Sequence, residues 1–136
     1  MRFMMIMFPP KSVETTGMPS DPKVFEEMAR YNLELAKSGV LLALDGLQAT
    51  SKGARVSVKN GKKQVVDGPF TEAKEIVGGY WMIQVRSRAE AIEWASRVPL
   101  HDDGSFVEVR QVFEMTDFPE EVQKIDQVVV DALTKK

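Results

Sequence analysis

The sequence of 136 residues contains no cysteine and a single histidine, His101. The absence of cysteine excludes disulfide bonds, thiolate metal sites and a cysteine nucleophile. One histidine excludes a metal site built from several histidines of one chain, and a serine–histidine–aspartate triad could use only His101. An excess of basic charge is also lacking, because 18 basic and 20 acidic residues leave a net charge of −2. The sequence therefore does not resemble a general nucleic-acid-binding protein.

Long hydrophobic runs are lacking as well. The apolar run Arg2–Phe8 is too short to span a membrane, and Pro9-Pro10 follows it instead of a small-residue cleavage site. We therefore predict a buried first strand and a cytoplasmic protein, bacterial in style, without a membrane partner. The content of 43% hydrophobic and 28% charged residues is typical of one soluble domain with its own core.

Local signals predict a β-α-β order, a hairpin, a second β-α-β order and a last helix. Asp21-Pro22 is typical of a helix start and Gly39 of a helix end. Asn60-Gly61 is the strongest short hairpin signal, and Ser87 begins a capping box. The predicted strands are 2–8, 40–44, 54–59, 62–66, 76–85 and 106–113. The remaining predicted elements are a long loop over 9–20, helices over 22–38 and 88–98, and a last helix with Val122, Ile125, Val129 and Leu133 on one stripe.

This order predicts an α+β fold, a ferredoxin-like β-α-β-β-α-β sandwich with a hairpin insertion and a C-terminal helix. Helices cover only one face of such a sheet. Both faces of the strands at 2–8 and 76–85 are apolar, so the second face should also be covered. We expect a second copy of the chain to cover it, in a homodimer. The alternative is that the last helix folds over this face within one chain.

Two charged residues are predicted on one strand face. Glu108 and Arg110 are two residues apart, so their side chains point the same way. If that face lines the dimer interior, both groups are desolvated, must be paired and become candidates for a ligand site. The alternative is a solvated edge or a structural ion pair. Met5, Tyr80 and Met82 would form the apolar wall of that site.

The segment 67–75 combines a turn with several charged groups. Asp67 can accept hydrogen bonds from nearby backbone, the Gly-Pro pair after it shapes a turn, and Phe70 can anchor it. Glu72 and Lys74 add an acid and a cation. A carboxylate held in this way could act as a base or clamp a ligand. The alternative is a rigid turn whose polar groups satisfy one another, and the spacing specifies no reaction.

His101 precedes two aspartates in a predicted loop. This trio could hold a divalent cation weakly, or the imidazole could act as a base with a pKa near about 6.5. Loop histidines beside acids are usually solvated, and that is our interpretation here. We expect no metal site and no cofactor.

Several motifs resemble those of the YCII-related DGPF family. The segments DGPFTEAKEIVGGYWMIQV, AIEWASRVP and FVEVRQV occur in the order of that family, and SGVLLALDGLQ upstream also fits it. The resemblance extends over about residues 1–113. It implies a dimeric α/β barrel of ferredoxin-like type, with residues 1–115 as the family domain and 116–136 as a helical extension.

The resemblance also implies functions. In bacteria, similar proteins are often encoded beside extracytoplasmic-function sigma factors, which implies an accessory role in transcription control. Relatives in the wider YCII group include a dehydrochlorinase acting on chlorinated hydroquinones. Some members have a histidine with a suggested catalytic role in the first helix, where the matching residue here is Met28. Because the first helix contains no histidine, we do not expect acid–base chemistry of that type.

Three functional hypotheses follow. The first is a small-molecule-binding or regulatory accessory module acting as a homodimer, with an organic ligand between the sheet, the first helix and the segment 67–75. The second is a metal-independent enzyme for proton abstraction, isomerisation or elimination on a small cyclic or aromatic substrate. In that case Asp67 or Glu72 would be the base and Arg110 would stabilise an anion. The third is a protein that binds a sigma factor.

Overall fold

The computed structural model describes residues 1–19 and 21–135. Two single 3₁₀ turns are present, at Thr50–Lys52 and Met115–Asp117. The elements in chain order are β1 (Arg2–Phe8), α1 (Lys11–Thr16), α2 (Pro22–Ser38), β2 (Leu41–Gly46), β3 (Ala54–Lys59), β4 (Lys62–Asp67), β5 (Gly79–Gln84), α3 (Arg88–Ser96), β6 (Phe106–Gln111) and α4 (Glu120–Thr134).

The long helix α2 begins and ends at the predicted signals. The Asp21 carboxylate accepts a hydrogen bond from the Lys23 backbone nitrogen at 2.9 Å, which satisfies one of the free donors of the first turn. Gly39 ends the helix with a φ of 84°, in the left-handed region that favours glycine. The prediction of this helix is confirmed.

The segment between β1 and α2 differs from the prediction of a plain loop over 9–20. Residues 11–16 form the short helix α1, which Gly17 ends in a left-handed conformation. Six residues give no apolar repeat that would reveal a helix in the sequence. The last residue of the predicted loop, Ser20, lies outside the described residues.

The main sheet has the strand order β2-β5-β1-β6, and every neighbouring pair is antiparallel. β5 lies between β1 and β2, which is the split βαβ arrangement of ferredoxin-like folds. The predicted α+β class is confirmed, and the topology is compatible with a ferredoxin-like fold. In the described chain this sheet is open, with β2 and β6 at its edges, while β3 and β4 form a separate hairpin.

The core lies between one face of the sheet and the helices. The Tyr31 ring meets the Trp81 ring edge-on at 5.7 Å between centroids, a favourable aromatic geometry. The Tyr31 hydroxyl donates to the Trp94 carbonyl oxygen at 2.7 Å, and burial raises the pKa of the Tyr31 phenol. Other fully buried side chains here are those of Phe3, Met5, Leu35, Ile83 and Ala91.

The opposite face of the sheet is apolar along β1 and β5 and only half-buried there. Met4 lies opposite Met82, and Ile6 opposite Tyr80, across β1 and β5. In the described chain no residue of α4 is buried, and Ile125 on its apolar stripe is 66% exposed. The alternative in which the last helix folds over this face is therefore not seen. We call this surface the open sheet face.

Among residues 1–19 and 21–135, no helix has both the length and the apolar character that a bilayer crossing needs.

Candidate functional site

A cavity of about 370 Å³ lies beside the end of β1, where α1 and α2 flank the sheet. Residues 17–19 and the segments 46–49, 74–78 and 99–105 contribute the rest of its wall. Charged side chains stand at five positions, Lys11, Glu14, Lys74, His101 and Asp102. The apolar part of the wall includes Met7, Val13, Val24, Met28, Leu47 and Val77.

The turn at 67–70 is tied to the cavity wall through Thr50. The Thr50 hydroxyl oxygen accepts a hydrogen bond from the Phe70 backbone nitrogen at 3.0 Å. The Thr50 backbone nitrogen donates to Oε1 of Glu14 at 2.8 Å, and the hydroxyl donates to the same carboxylate oxygen. Because Glu14 belongs to α1, this network fixes α1 against the turn and positions one side of the cavity.

Close backbone packing explains the glycine of this turn. A Cβ atom on Gly68 would lie 1.7 Å from the Thr50 carbonyl oxygen, so a side chain has no room there. The Gly68 backbone nitrogen donates to the Gly53 carbonyl oxygen at 2.9 Å. Phe70 is buried, and the Arg55 guanidinium lies 3.9 Å from its ring centre, within cation–π range.

The predicted role of Asp67 in shaping this turn is not what the structure shows. Asp67 is the exposed last residue of β4, opposite Ala54 in the hairpin. Among the described residues no hydrogen bond reaches its carboxylate. The turn is held instead by Thr50, Gly53 and the buried Phe70 ring.

The residues predicted to form an apolar ligand wall occupy two faces of the sheet. Met5 faces the helices and is fully buried in the core. Tyr80 and Met82 lie on the open sheet face, because successive side chains of a strand point to opposite sides. Met5 therefore does not share a wall with Tyr80 and Met82. Lys74, also predicted for the ligand site, lines the cavity.

The predicted charged pair on β6 is formed. Arg110 Nη1 lies 3.3 Å from Glu108 Oε2 on the open sheet face, opposite Met4 and Ile6 of β1. Both groups are substantially exposed within one chain, so the pair contributes little to the stability of the isolated chain.

The three predicted catalytic residues stand on three different segments. Arg110 belongs to β6, Asp67 to the hairpin and Glu72 to the exposed loop before β5. In the described part of the chain no hydrogen bond or ion pair joins Arg110 to either acid. The hypothesis of a proton-transfer enzyme built on them stays a prediction.

An acidic partner of His101 was missed by the sequence analysis. Nε2 of His101 contacts Oε2 of Glu27 on α2. The hydrogen bond with Glu27 and the charge of that carboxylate raise the pKa of His101. His101 lines the cavity, and both His101 and Glu27 line a hollow beside it. The two residues are 74 positions apart in the chain, and no local pattern links them.

The cavity wall is otherwise unlike a metal centre. Among residues 1–19 and 21–135, no group of three or more histidine, aspartate or glutamate side chains is placed to hold a metal ion. The cavity acids are Glu14, which is already engaged by Thr50, and Asp102. The wall is thus mainly apolar, with cationic side chains from Lys11 and Lys74.

Comparison with known proteins agrees with the fold and the motifs. The model of the YCII-related domain matches residues 1–116. An uncharacterized protein of Rhizobium meliloti (strain 1021) is similar to this chain, with 29% identity over 75 residues. That match covers 55% of this chain and 60% of the relative, which is less than two thirds of its length. Since the family model matches most of the sequence, the chain belongs to the YCII-related family.

Proposed function

We propose that this protein is a small-molecule-binding module whose ligand occupies the cavity beside β1 and α2. The cavity itself carries the proposal. Its volume of about 370 Å³ falls in the range of small-molecule sites, which are mostly apolar with a few convergent polar groups. The described wall is likewise mostly apolar and carries a few charged side chains.

The lysines of the wall suit a ligand with an apolar body and one negative group. Lys11 and Lys74 bring ammonium groups to the wall, whereas Glu14 is hydrogen-bonded to Thr50. His101 is balanced by Glu27. Asp102 is a second acid of the wall, so its formal charges balance, and a carboxylate or sulfonate on the ligand would bind by pairing with Lys11 or Lys74.

A pair of related dyes tests this proposal. Anilinonaphthalene sulfonate has an apolar body and a negative group, and phenylnaphthylamine has the same body without charge. We expect both dyes to bind in the cavity and fluoresce there. The substitution Leu47→Trp places a larger side chain on the cavity wall and should weaken the binding of both dyes. Unchanged binding of both dyes to the Leu47→Trp protein would contradict the proposal.

The role of Lys74 is tested with the same dyes. Lys74→Gln should weaken the binding of anilinonaphthalene sulfonate by about 2- to 5-fold, which is the effect of one exposed charge pair. It should leave the binding of phenylnaphthylamine unchanged. Lys37→Gln at the end of α2 removes a lysine away from the cavity and is the matched control. Equal weakening by both lysine variants would assign the effect to net charge.

We further propose that the working unit is a homodimer in which a second copy covers the open sheet face, as in a dimeric α/β barrel. The chain exposes 10101 Å² of surface, whereas a compact monomer of 15.3 kDa is expected to expose about 7,100 Å². The excess of about 3,000 Å² exceeds the roughly 800 Å² per partner of a standard interface. Surface of this extent supports association of two chains.

Four polar groups of the open sheet face already have partners. Arg110 pairs with Glu108, and the Tyr80 hydroxyl donates to Asp45 Oδ2 at 2.8 Å. Buried polar groups are tolerated when they are hydrogen-bonded. A second copy could therefore cover this face without leaving these four groups unpaired.

Sedimentation tests the dimer. The protein should sediment at twice the chain mass, and Ile6→Glu should convert it to a monomer because an unpaired carboxylate would be buried. Leu33→Glu places the same charge on an exposed position of α2 and should leave the dimer intact. A wild-type protein that sediments as a monomer at micromolar concentration would contradict the dimer.

Two further proposals rest on the sequence and the family resemblance. One is a link to an extracytoplasmic-function sigma factor as partner. The other is the proton-transfer enzyme with Asp67 or Glu72 as base and Arg110 as anion stabiliser. Binding of purified sigma factor from the same organism would test the first proposal. The Arg110→Ala variant would test the second.

A further inference from the structure

The segment 10–19, which contains the short helix α1, forms one wall of the cavity without packing deeply on the rest of the chain. Val13 and Met18 line the cavity from this side. None of residues 10–19 is buried, and Met18 is 62% exposed. The helix α2 on the same cavity, by contrast, buries Tyr31 and Leu35. We call residues 10–19 the α1 segment.

One side chain connects the α1 segment to other parts of the fold by hydrogen bonds. The other bonds of the segment are local, such as those from Val13 to Pro10 and from Gly17 to Val13. The Glu14 carboxylate accepts from both the backbone nitrogen and the hydroxyl of Thr50. Among the described residues, no other hydrogen bond or ion pair links the segment to the rest of the chain. Segments with few buried contacts open locally at a lower free energy than the core.

The two ends of α1 differ in how firmly they are held. Before α1 the Pro9 ring packs on Gly78, where an added Cβ would lie 2.8 Å from two of the ring carbons. The Gly78 backbone nitrogen also donates to the Met7 carbonyl oxygen at 2.8 Å. After α1, Gly17 has a φ of 85° and open space around the position of a Cβ. The α1 segment therefore starts from a fixed point and contains a residue whose backbone angles can change.

Thr50, the donor to Glu14, is itself fixed by the turn at 67–70. Its hydroxyl oxygen accepts from the Phe70 backbone nitrogen at 3.0 Å, and the Phe70 side chain is buried. Its carbonyl oxygen lies so close to Gly68 that no side chain fits there. The contact thus joins a weakly held segment to a closely packed turn, and it can break without disturbing that turn.

We propose that the α1 segment is a lid of the cavity and that the contact between Glu14 and Thr50 is its latch. This inference rests on the small-molecule binding proposed above and adds control of ligand entry and release. When the hydrogen bonds to Glu14 break, α1 moves away from the cavity and a ligand can enter. When they form again, Val13 and Met18 close over the ligand. Lids of this kind commonly set the rates at which ligands enter and leave a site.

Stopped-flow fluorescence with phenylnaphthylamine tests the lid. This dye is uncharged, so loss of the Glu14 charge does not act on it directly. Glu14→Ala should raise the association and dissociation rate constants together, each by about 10-fold, the effect of losing a hydrogen bond to a charged group. Because the latch forms in the empty and in the filled protein, the dissociation constant should change much less than either rate constant.

Glu26→Ala is the matched control. It removes a carboxylate from an exposed position of α2 that does not line the cavity, and it should leave both rate constants unchanged. If Glu14→Ala raised the dissociation rate constant alone, the substitution would have damaged a static wall, and the lid would be overturned. Circular dichroism checks that both variants are folded.

Amide hydrogen exchange measures the latch without a ligand. The Thr50 amide donates to Glu14, so its exchange reports each opening of the contact. In the wild type it should exchange faster than the amide of Leu35, a fully buried residue of α2, because the lid opens without unfolding of the core. Glu14→Ala should accelerate exchange at Thr50 and leave Leu35 unchanged. A Thr50 amide that exchanges as slowly as that of Leu35 in the wild type would overturn the latch.

The outcomes separate the lid from the binding function on which it rests. Failure of phenylnaphthylamine to bind the wild type would overturn the binding function and, with it, the lid. Dye binding with the same association rate constant in the wild type and in the Glu14→Ala protein would overturn the lid alone and leave the cavity as the binding site.

Discussion

The Thr50 hydroxyl lies 3.0 Å from the Phe70 backbone nitrogen and accepts its hydrogen bond. The same threonine donates to Glu14. One side chain thus connects the turn at 67–70, the most conspicuous motif of the sequence, to the helix that forms part of the cavity wall. The turn therefore supports one side of the cavity wall.

Substitution of Gly68 should be strongly destabilising. The Cβ of Gly68→Ala would lie 1.7 Å from the Thr50 carbonyl oxygen, so the two backbone segments must separate. We expect a loss of about 3 kcal/mol in the free energy of unfolding, the upper end of overpacking costs. Urea denaturation measures it.

Gly53→Ala is the matched control for this prediction. Its Cβ would meet the same Thr50 oxygen at 3.6 Å, an ordinary contact, and its backbone is extended. We expect a change within about 0.5 kcal/mol. Similar stabilities for the Gly68→Ala and Gly53→Ala proteins would show that the close approach at Gly68 does not determine the turn.

The hydrogen bond between Trp81 and Asn32 should matter to the core. Trp81 is buried, and its indole nitrogen donates to Asn32 Oδ1 at 2.7 Å. Asn32→Leu leaves this buried donor without an acceptor, which costs about 1 to 3 kcal/mol. In a Trp81→Phe background the donor is gone, so the same substitution should cost about 1 kcal/mol less. Equal costs in both backgrounds would contradict the contact.

The contact with Glu27 should control the titration of His101. Since Glu27 raises the pKa of His101, Glu27→Gln should lower that pKa towards the ordinary value of about 6.5. Titration of the imidazole by NMR measures the change. Glu26→Gln, on the neighbouring residue, is the control and should leave the titration almost unchanged. An identical pKa in the Glu27→Gln protein would show that the pair does not form in solution.

The sign of the pH effect on stability follows from the same shift. Because the folded protein holds the His101 proton more tightly, the stabilisation is fully present below the pKa of the unfolded chain. It is lost as pH rises through the higher pKa of the folded protein. Raising pH through this window should therefore lower the stability of the wild type more than that of the Glu27→Gln protein.

Much of the fold could be predicted because its signals are local. Asp21 and Gly39 bracket α2 as predicted, and Asn60-Gly61 forms the hairpin turn. The face of β1 that meets the helices was not predictable, because both faces of that strand are apolar. The core position of Met5 shows which face is covered. That choice depends on packing between elements distant in sequence.

Less of the site could be predicted. Lys74 lines the cavity, but most of the other wall residues belong to segments that lie dozens of residues away in the sequence. The Glu27–His101 contact has no local signature, since an acid on an exposed helix face is ordinary in any sequence. Gly68 was visible as a turn residue, whereas its close approach to Thr50 depends on a backbone contact that only the folded chain creates.

The most direct test of the binding proposal uses the eight methionines of the chain as methyl-labelled NMR probes. Met7, Met18 and Met28 line the cavity, whereas Met4 and Met82 lie on the open sheet face. Titration with phenylnaphthylamine should shift the three cavity methyl signals to saturation and leave those of Met4 and Met82 in place. Shifts confined to Met4 and Met82, or no shift of the cavity signals at saturating dye, would contradict the account.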